Sequence, residues 1–260
     1  MYLALKDLIV ARGRFALVAV VIGLVALLST LLSGLANGLV DDGISGLRAL
    51  PLTHLALQPG SQSSFSRSTL TEDNLAAWTA AAKREGGERL EVSPIGVSFF
   101  NARRADGSTL DIAMFGVAPG TFLAPRPEAQ AALNGTPGLV LSDEFRKDGV
   151  KVGDVLTIVG IDEQLPVLGF TYAGSYGHVD IAFTSLATWQ QLVYGDNARG
   201  RFSAVAVHAD GPDDAALAAI AKRADTDVET KDQAYAGSPG YSAESATMTL
   251  IRGFLLVISA

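Results

Sequence analysis

FALVAVVIGLVALLSTLLSGLANGLV, residues 15–40, is an uncharged run whose reading decides the fold. A helix needs about 20 apolar residues to cross roughly 30 Å of hydrocarbon. This run is long enough. In lipid every backbone N–H and C=O has to be satisfied inside the segment, so helix is the conformation that fits. A cleaved signal peptide, the main rival, has an apolar core of only about 7–15 residues before a small-residue cleavage site. A helix buried in a soluble protein would normally carry a polar face along its length, whereas residues 15–28 of this run hold no polar side chain. Residues 15–40 are therefore expected to form a transmembrane helix.

The flanks set its direction. Lys6, Arg12 and Arg14 precede the run, and Asp41 and Asp42 follow it. The positive-inside rule then puts residues 1–14 in the cytoplasm and residue 41 onward outside, in the cell membrane's extracytoplasmic space. Ser29, Ser33, Gly34, Asn37 and Gly38 cluster in the outer half. Small and polar residues let helices approach and hydrogen-bond across an interface. Ser33, Asn37 and Asp41 share one face at i, i+4 and i+8, which reads as a dimer or substrate interface. The plainer alternative is that they only punctuate the helix end.

The last stretch, AESATMTLIRGFLLVISA, turns apolar after Arg252. Residues 243–260 are expected to begin a second membrane helix that the sequence cuts short, because the apolar part is too short to span a bilayer. A peripheral amphipathic helix is the alternative. The net charge is −7 and there are no cysteines. All the acidic residues but Asp7 lie between the two apolar ends, and no basic patch with interleaved aromatics occurs, which argues against a nucleic-acid partner. Without cysteine there is no disulfide framework, thiolate metal site or cysteine nucleophile.

Residues 41–242 read as an α+β domain. THLALQ (53–58) alternates like a strand. Residues 70–84 carry apolar positions at helical spacing after Thr71 and Asn74. Residues 97–104 and 109–117 flank Ala105-Asp106-Gly107-Ser108, a hairpin signal. Residues 119–127 are a turn-rich connection, and 138–141 are a short strand, after which Ser142 caps a short helix to Lys147. Residues 151–159 and 165–172 read as paired strands, 180–183 as a brief strand and 185–194 as a helix capped by Ser185. Residues 202–209 alternate, and Pro212 suits the first turn of a helix running to Arg223.

Catalytic signatures are missing. There is no GxxxxGK[ST] loop for ATP, and no GxSxG, HExxH or CxxC motif. His54, His178 and His208 are far apart in sequence, so no local metal pair forms. His208 reads as structural. His178 lies in the loop GSYGHVD near Tyr172, Tyr176 and Asp180, which is either a ligand-contact loop or a surface turn. His54, in LPLTHLA, lies close to the helix exit and could contact a molecule near the outer leaflet. Adjacent acids such as Asp213 and Asp214 cap helices or solvate loops and do not flank one scissile bond. The chain is read as a non-enzyme.

The layout of a basic start (LALKDLIVARGRF), one long helix, a large outer domain and the start of another helix resembles that of FtsX-like ABC transporter permeases. The class includes macrolide-exporter and lipoprotein-release permeases with a MacB-like periplasmic core domain. SPIGVSFFNARRADGSTLDIAMFGVAPGTFL (93–123) resembles the family's early strand–hairpin stretch. GLVLSDEFRKDGVKVGDVLTIVGIDEQLPVLGF (138–170) resembles its "GvkvGD" stretch. Ser93-Pro94, Gly116-Val117 and Gly153-Asp154 are expected as turn positions. GRFALVAVVIGLVALLSTLLSGLANGL and MTLIRGFLLVISA look closest to haem-efflux and DevC-like permeases.

The resemblance implies a multi-pass protein of four membrane helices working as a homodimer with a separate cytoplasmic ABC ATPase. ATP then binds the partner subunit, and this chain holds no cofactor or metal. The helices transmit motion to the outer domain, and the substrate is an amphipathic molecule exported or extracted from the outer leaflet, with haem a candidate. Ser33, Asn37 and Asp41 would form the dimer or substrate interface, with His54, Tyr172, Tyr176 and His178 as further contacts. The competing readings are an anchored extracytoplasmic sensor or binding domain without transport, and an exported enzyme with an uncleaved anchor.

Overall fold

The computed structural model describes residues 12–84, 89–124, 131–198 and 200–259. The basic residue Lys6 and the end of the 119–127 connection lie outside them. The chain divides into two units, one of residues 1–41 with 243–260 and one of residues 42–242.

In the first unit, α1 (Arg12–Asp42) is a continuous helix of 31 residues. Among the described residues it is the one helix long and apolar enough to cross a membrane. Its leucines and valines are exposed from Leu17 to Leu39, Leu24, Leu28 and Leu35 among them. Ser29 and Thr30 return their hydroxyl hydrogens to the carbonyls of Val25 and Ala26, both at 2.8 Å, so neither leaves an unpaired donor on the helix surface. The second helix of this unit spans Tyr241–Ser259.

The second unit begins with a short helix, α2 (Ser45–Ala49), and builds a ten-stranded sheet. In chain order its main elements are β1 (His54–Leu57), α3 (Glu72–Arg84), β2 (Leu90–Arg103), β3 (Thr109–Val117), β4 (Leu139–Ser142), β5 (Val155–Ile158), β6 (Gln164–Thr171), β7 (Ser175–Tyr176) and β8 (Val179–Ser185). After these come α4 (Leu186–Tyr194), β9 (Ala204–Ala209), α5 (Asp214–Arg223), β10 (Asp227–Thr230) and α6 (Lys231–Ala234), before α7 (Tyr241–Ser259).

The 14-residue strand β2 organises the sheet. Its first half pairs with β9, and β1 and β10 extend the sheet from there, all antiparallel. Its second half pairs with β3 on one side and with β5 on the other. The path β2-β3-β8-β4-β6-β5 therefore returns to β2 and closes a six-stranded barrel. Ala102, Ile112, Met114, Leu141, Leu156, Ile158, Leu165 and Val167 are buried together in one core cluster, as the side chains of a small closed barrel have to be. Closure also removes the unpaired strand edges that invite aggregation.

Local chemistry starts and stops the elements as the sequence suggests. Asp106-Gly107 turns the β2–β3 hairpin, with Gly107 at φ +86°. Ser142 and Ser185 each accept a backbone N–H at the start of the helical turn they precede. α3 carries Glu72 and Asp73 in its first turn and Lys83 and Arg84 in its last, which complements its macrodipole.

Three expectations need correction. Pro212 lies outside α5, because the Asp213 carboxylate accepts the Ala216 N–H at 2.8 Å as the N-cap and so sets the first helical residue at Asp214. Residues 204–207 do not alternate between core and solvent. β9 is a central strand with Val205 and Val207 in one core cluster and Ala204 and Ala206 in another, so both of its faces are apolar. Ser93-Pro94 and Gly116-Val117 are strand positions inside β2 and β3, whereas Gly153 is a turn residue at φ +91°. Pro94 is tolerated because β2 has only β9 beside it there; pairing with β3 begins at Ile95.

Gly116 serves a purpose other than turning. It faces Gly96 across the hairpin. A Cβ on Gly96 would lie 2.2 Å from Trp189 Cδ2, and one on Gly116 would lie 2.3 Å from Trp189 Cβ. The paired glycines make the slot into which α4 seats its one tryptophan, which is 1% exposed.

Candidate functional site

The proposed site residues fall into three places. On α1, Ser33 is half-buried and Asn37 and Asp41 are exposed. Asn37, Val40 and Asp41 line a cavity of about 320 Å³ with Ser245, Met248 and Thr249 of α7, all within the first unit. Asp41 is the only ionisable group among the described residues of that lining. The Thr249 hydroxyl gives its hydrogen to the Ser245 carbonyl at 2.9 Å, which leaves its oxygen as an acceptor. Ser33 does not reach this cavity.

His54 stands apart on β1. Its Nδ1 is 2.9 Å from the Thr53 hydroxyl, whose oxygen is also 3.2 Å from the Val207 carbonyl. Its Nε2 is 3.3 Å from Asp214 Oδ1 at the start of α5. Both ring nitrogens are thus directed at protein groups, and the side chain ties β1 to α5.

Tyr172, Tyr176 and His178 come together around the segment that follows α1. Two carbonyls at the end of that helix would lack intrahelical partners. The loop 172–178 supplies them. The Asp42 carbonyl accepts hydrogen bonds from the Ser45 and Ser175 hydroxyls at 2.8 and 2.6 Å. The Gly43 carbonyl accepts the Gly177 N–H at 2.8 Å and the Ser238 hydroxyl at 2.9 Å. Ser175 N–H donates to Ser45 Oγ at 2.9 Å, and Tyr172 OH donates to the Gly46 carbonyl at 3.1 Å.

Glycines make this approach possible. A Cβ on Gly46 would lie 2.6 Å from Ile181 Cγ2, one on Gly174 3.1 Å from the Gly46 Cα, and one on Gly43 3.0 Å from His178 Cε1. His178 holds a left-handed φ of +61° over Gly43, with its Nδ1 4.0 Å from Asp42 Oδ2. Tyr176 is 1% exposed, so it does not present itself at a surface. Its ring packs edge-on against Phe65 and Phe115 and stacks on Phe99, all with centroids within 6 Å. Burial pushes the phenols of Tyr172 and Tyr176 above their ordinary range.

Sequence reasoning missed Ser45, Ser175 and Ser238, together with the glycines between them. Their signal was the pair of small-residue runs GISG (43–46) and AGSYG (173–177), which only tertiary structure matches to each other.

Asp180, two residues beyond His178, is held above the usual carboxylate range. Partial burial is the largest cause, followed by the negative charges of Glu144, Asp42 and Asp148, against which Lys147 acts. An acid whose folded pKa is raised opposes folding when ionised and stops doing so once protonated in both states. Asp180→Asn is therefore expected to raise stability at neutral pH. The gain shrinks as pH falls through the raised folded value and is gone below the ordinary value of 3.8. Urea unfolding of both proteins across pH checks this; a gain that does not change with pH would contradict it.

No protein-family model and no curated protein sequence matches the chain. Solved structures do resemble its fold. The periplasmic region of MacB from Actinobacillus actinomycetemcomitans is 12% identical, with a TM-score of 0.49, over 74% of this chain and 94% of that one. The extracellular domain of the noncanonic ABC-type transporter YknZ from Gram-positive bacteria is 14% identical, with a TM-score of 0.44, over 68% of this chain and 98% of that one.

Proposed function

We propose that the chain is the permease subunit of an ABC transporter, in which α1 crosses the cell membrane and residues 42–242 stand on its outer side. The observation that carries this reading is the Gly43–Ser238 contact. The first residue after α1 and a residue just ahead of α7 share a hydrogen bond, so the two ends of the domain lie side by side. The charge pattern supports the orientation, with Arg12 and Arg14 at one end of the helix and Asp41 and Asp42 at the other. The resemblance of residues 93–123 and 138–170 to FtsX-like permeases supports the transporter class.

In this reading a separate cytoplasmic ATPase binds ATP, and two permease copies move together. Their helices pass that motion to the outer domain, which handles an amphipathic molecule from the outer leaflet. Asn37 and Asp41, which line one cavity, are the residues assigned to contact such a molecule, and haem is the first one to test. The experiment is to isolate the full-length protein from its native membrane in detergent. A co-isolating P-loop ATPase whose hydrolysis responds to added haem or another amphiphile is the expected result. Isolation with no ATPase would favour the anchored sensor domain instead.

A further inference from the structure

The two covalent routes out of the domain, residues 42–46 toward α1 and residues 238–242 toward α7, are far apart in sequence and held by one loop. Gly177 is the shared element. Its N–H bonds the Gly43 carbonyl at 2.8 Å and lies 3.2 Å from the Ser238 hydroxyl, which itself donates to Gly43 at 2.9 Å. A Cβ on Gly177, whose φ is +59°, would lie 3.0 Å from the Pro239 ring. On its N-terminal side the loop is anchored in the domain, since Gly174 N–H donates to the buried Ser142 hydroxyl at 3.2 Å and its carbonyl accepts the Ile181 N–H at 3.0 Å.

The hydrogen-bonding residues Gly43, Ser142, Gly174, Gly177, Ile181 and Ser238 are buried or half-buried, and each bond pairs a polar group that would otherwise be stranded away from water. Breaking one member strands the next, because a buried donor or acceptor left without a partner costs more than an exposed one.

We infer that residues 172–178, with Asp42–Gly46 and Ser238–Pro239, form a clasp that opens and closes cooperatively. It fixes both connecting segments to the domain at one point, so that a displacement of either segment is felt by the other. The inference rests on the transport reading only for what would drive such a displacement; the clasp itself is a property of the folded chain.

Hydrogen exchange on the full-length protein in detergent micelles tests it. Ser238→Ala removes one hydroxyl next to α7. The expected result is faster exchange, by about tenfold, at 43–48 and at 175–178 as well as around 238. Exchange in β9 and α3 is unchanged, which shows that the fold is intact. Ser175→Ala, at the other side of the loop, is expected to loosen 238–242 in return. Exchange that changes only within a few residues of each substitution overturns the clasp. ATPase isolation is a separate readout, so the transport reading can fail while the clasp stands, or the reverse.

Discussion

Replacing Trp189 by Ala is expected to destabilise the domain by about 3–5 kcal/mol, the usual cost of emptying a buried aromatic site. The site cannot collapse easily. Its floor is the backbone of two paired strands at Gly96 and Gly116, and the ring is otherwise bounded by the edge of Tyr194 at 5.8 Å. Gly96→Ala is destabilising for the opposite reason. Its methyl group would meet the indole at 2.2–2.5 Å, and overpacking of this kind costs about 1–3 kcal/mol.

Each change relieves the other, because without the indole the added methyl has room. The double variant Gly96→Ala/Trp189→Ala should therefore be more stable than the sum of the single effects predicts, by about 1 kcal/mol or more. Urea unfolding of the four proteins measures this. Simple additivity would show that the glycines are not there to make room for Trp189.

The second large effect concerns α1. Leu24 and Leu28 lie one turn apart near the middle of the apolar run, and both are exposed. An arginine at the centre of a membrane helix costs about 2.5–3.5 kcal/mol. Leu24→Arg/Leu28→Arg should therefore oppose insertion by about 5–7 kcal/mol. When residues 1–242 are produced alone, so that α1 is the anchor under test, most of the doubly substituted protein should then leave the carbonate-resistant membrane fraction. Leu39→Arg, near the end of the run, should remain inserted, since a long side chain there can extend its charge to the interface. Equal retention of all three proteins would mean that α1 is not held in a bilayer by its apolar surface.

The elements legible in the sequence were those with local causes. Asp106-Gly107 makes a hairpin through the left-handed glycine, and Ser142 and Ser185 cap through their own hydroxyls. The features missed are non-local. The barrel closes through the two-residue pairing of Ala102-Arg103 with Ile158-Thr157, which no periodicity encodes. β9 was misread because alternation of Ala and Val looks like alternation of inside and outside, whereas here both faces are covered. Gly116 was taken for a turn because a glycine needed for space looks the same in sequence as one needed for φ.

The candidate site divides in the same way. The i, i+4 spacing put Asn37 and Asp41 on one face, and they do line one cavity. The aromatic and histidine residues of 172–178 looked like ligand contacts. Their side chains meet the segment after α1 and the core, and Ser45 and Ser175, which hold that segment, sit in small-residue runs that only the folded chain matches to each other.

The central claim is that α1 crosses the membrane and leaves the domain outside. The chain has no cysteine, so single reporters can be placed cleanly. Ala105→Cys sits at the exposed tip of the β2–β3 hairpin, and Ala4→Cys lies in the basic segment ahead of the helix. Intact cells producing each full-length variant would be treated with a membrane-impermeant maleimide. Labelling of the cysteine at position 105 in intact cells, and of that at position 4 only after permeabilisation, is the predicted result. Protection of position 105 until the membrane is broken would contradict the account.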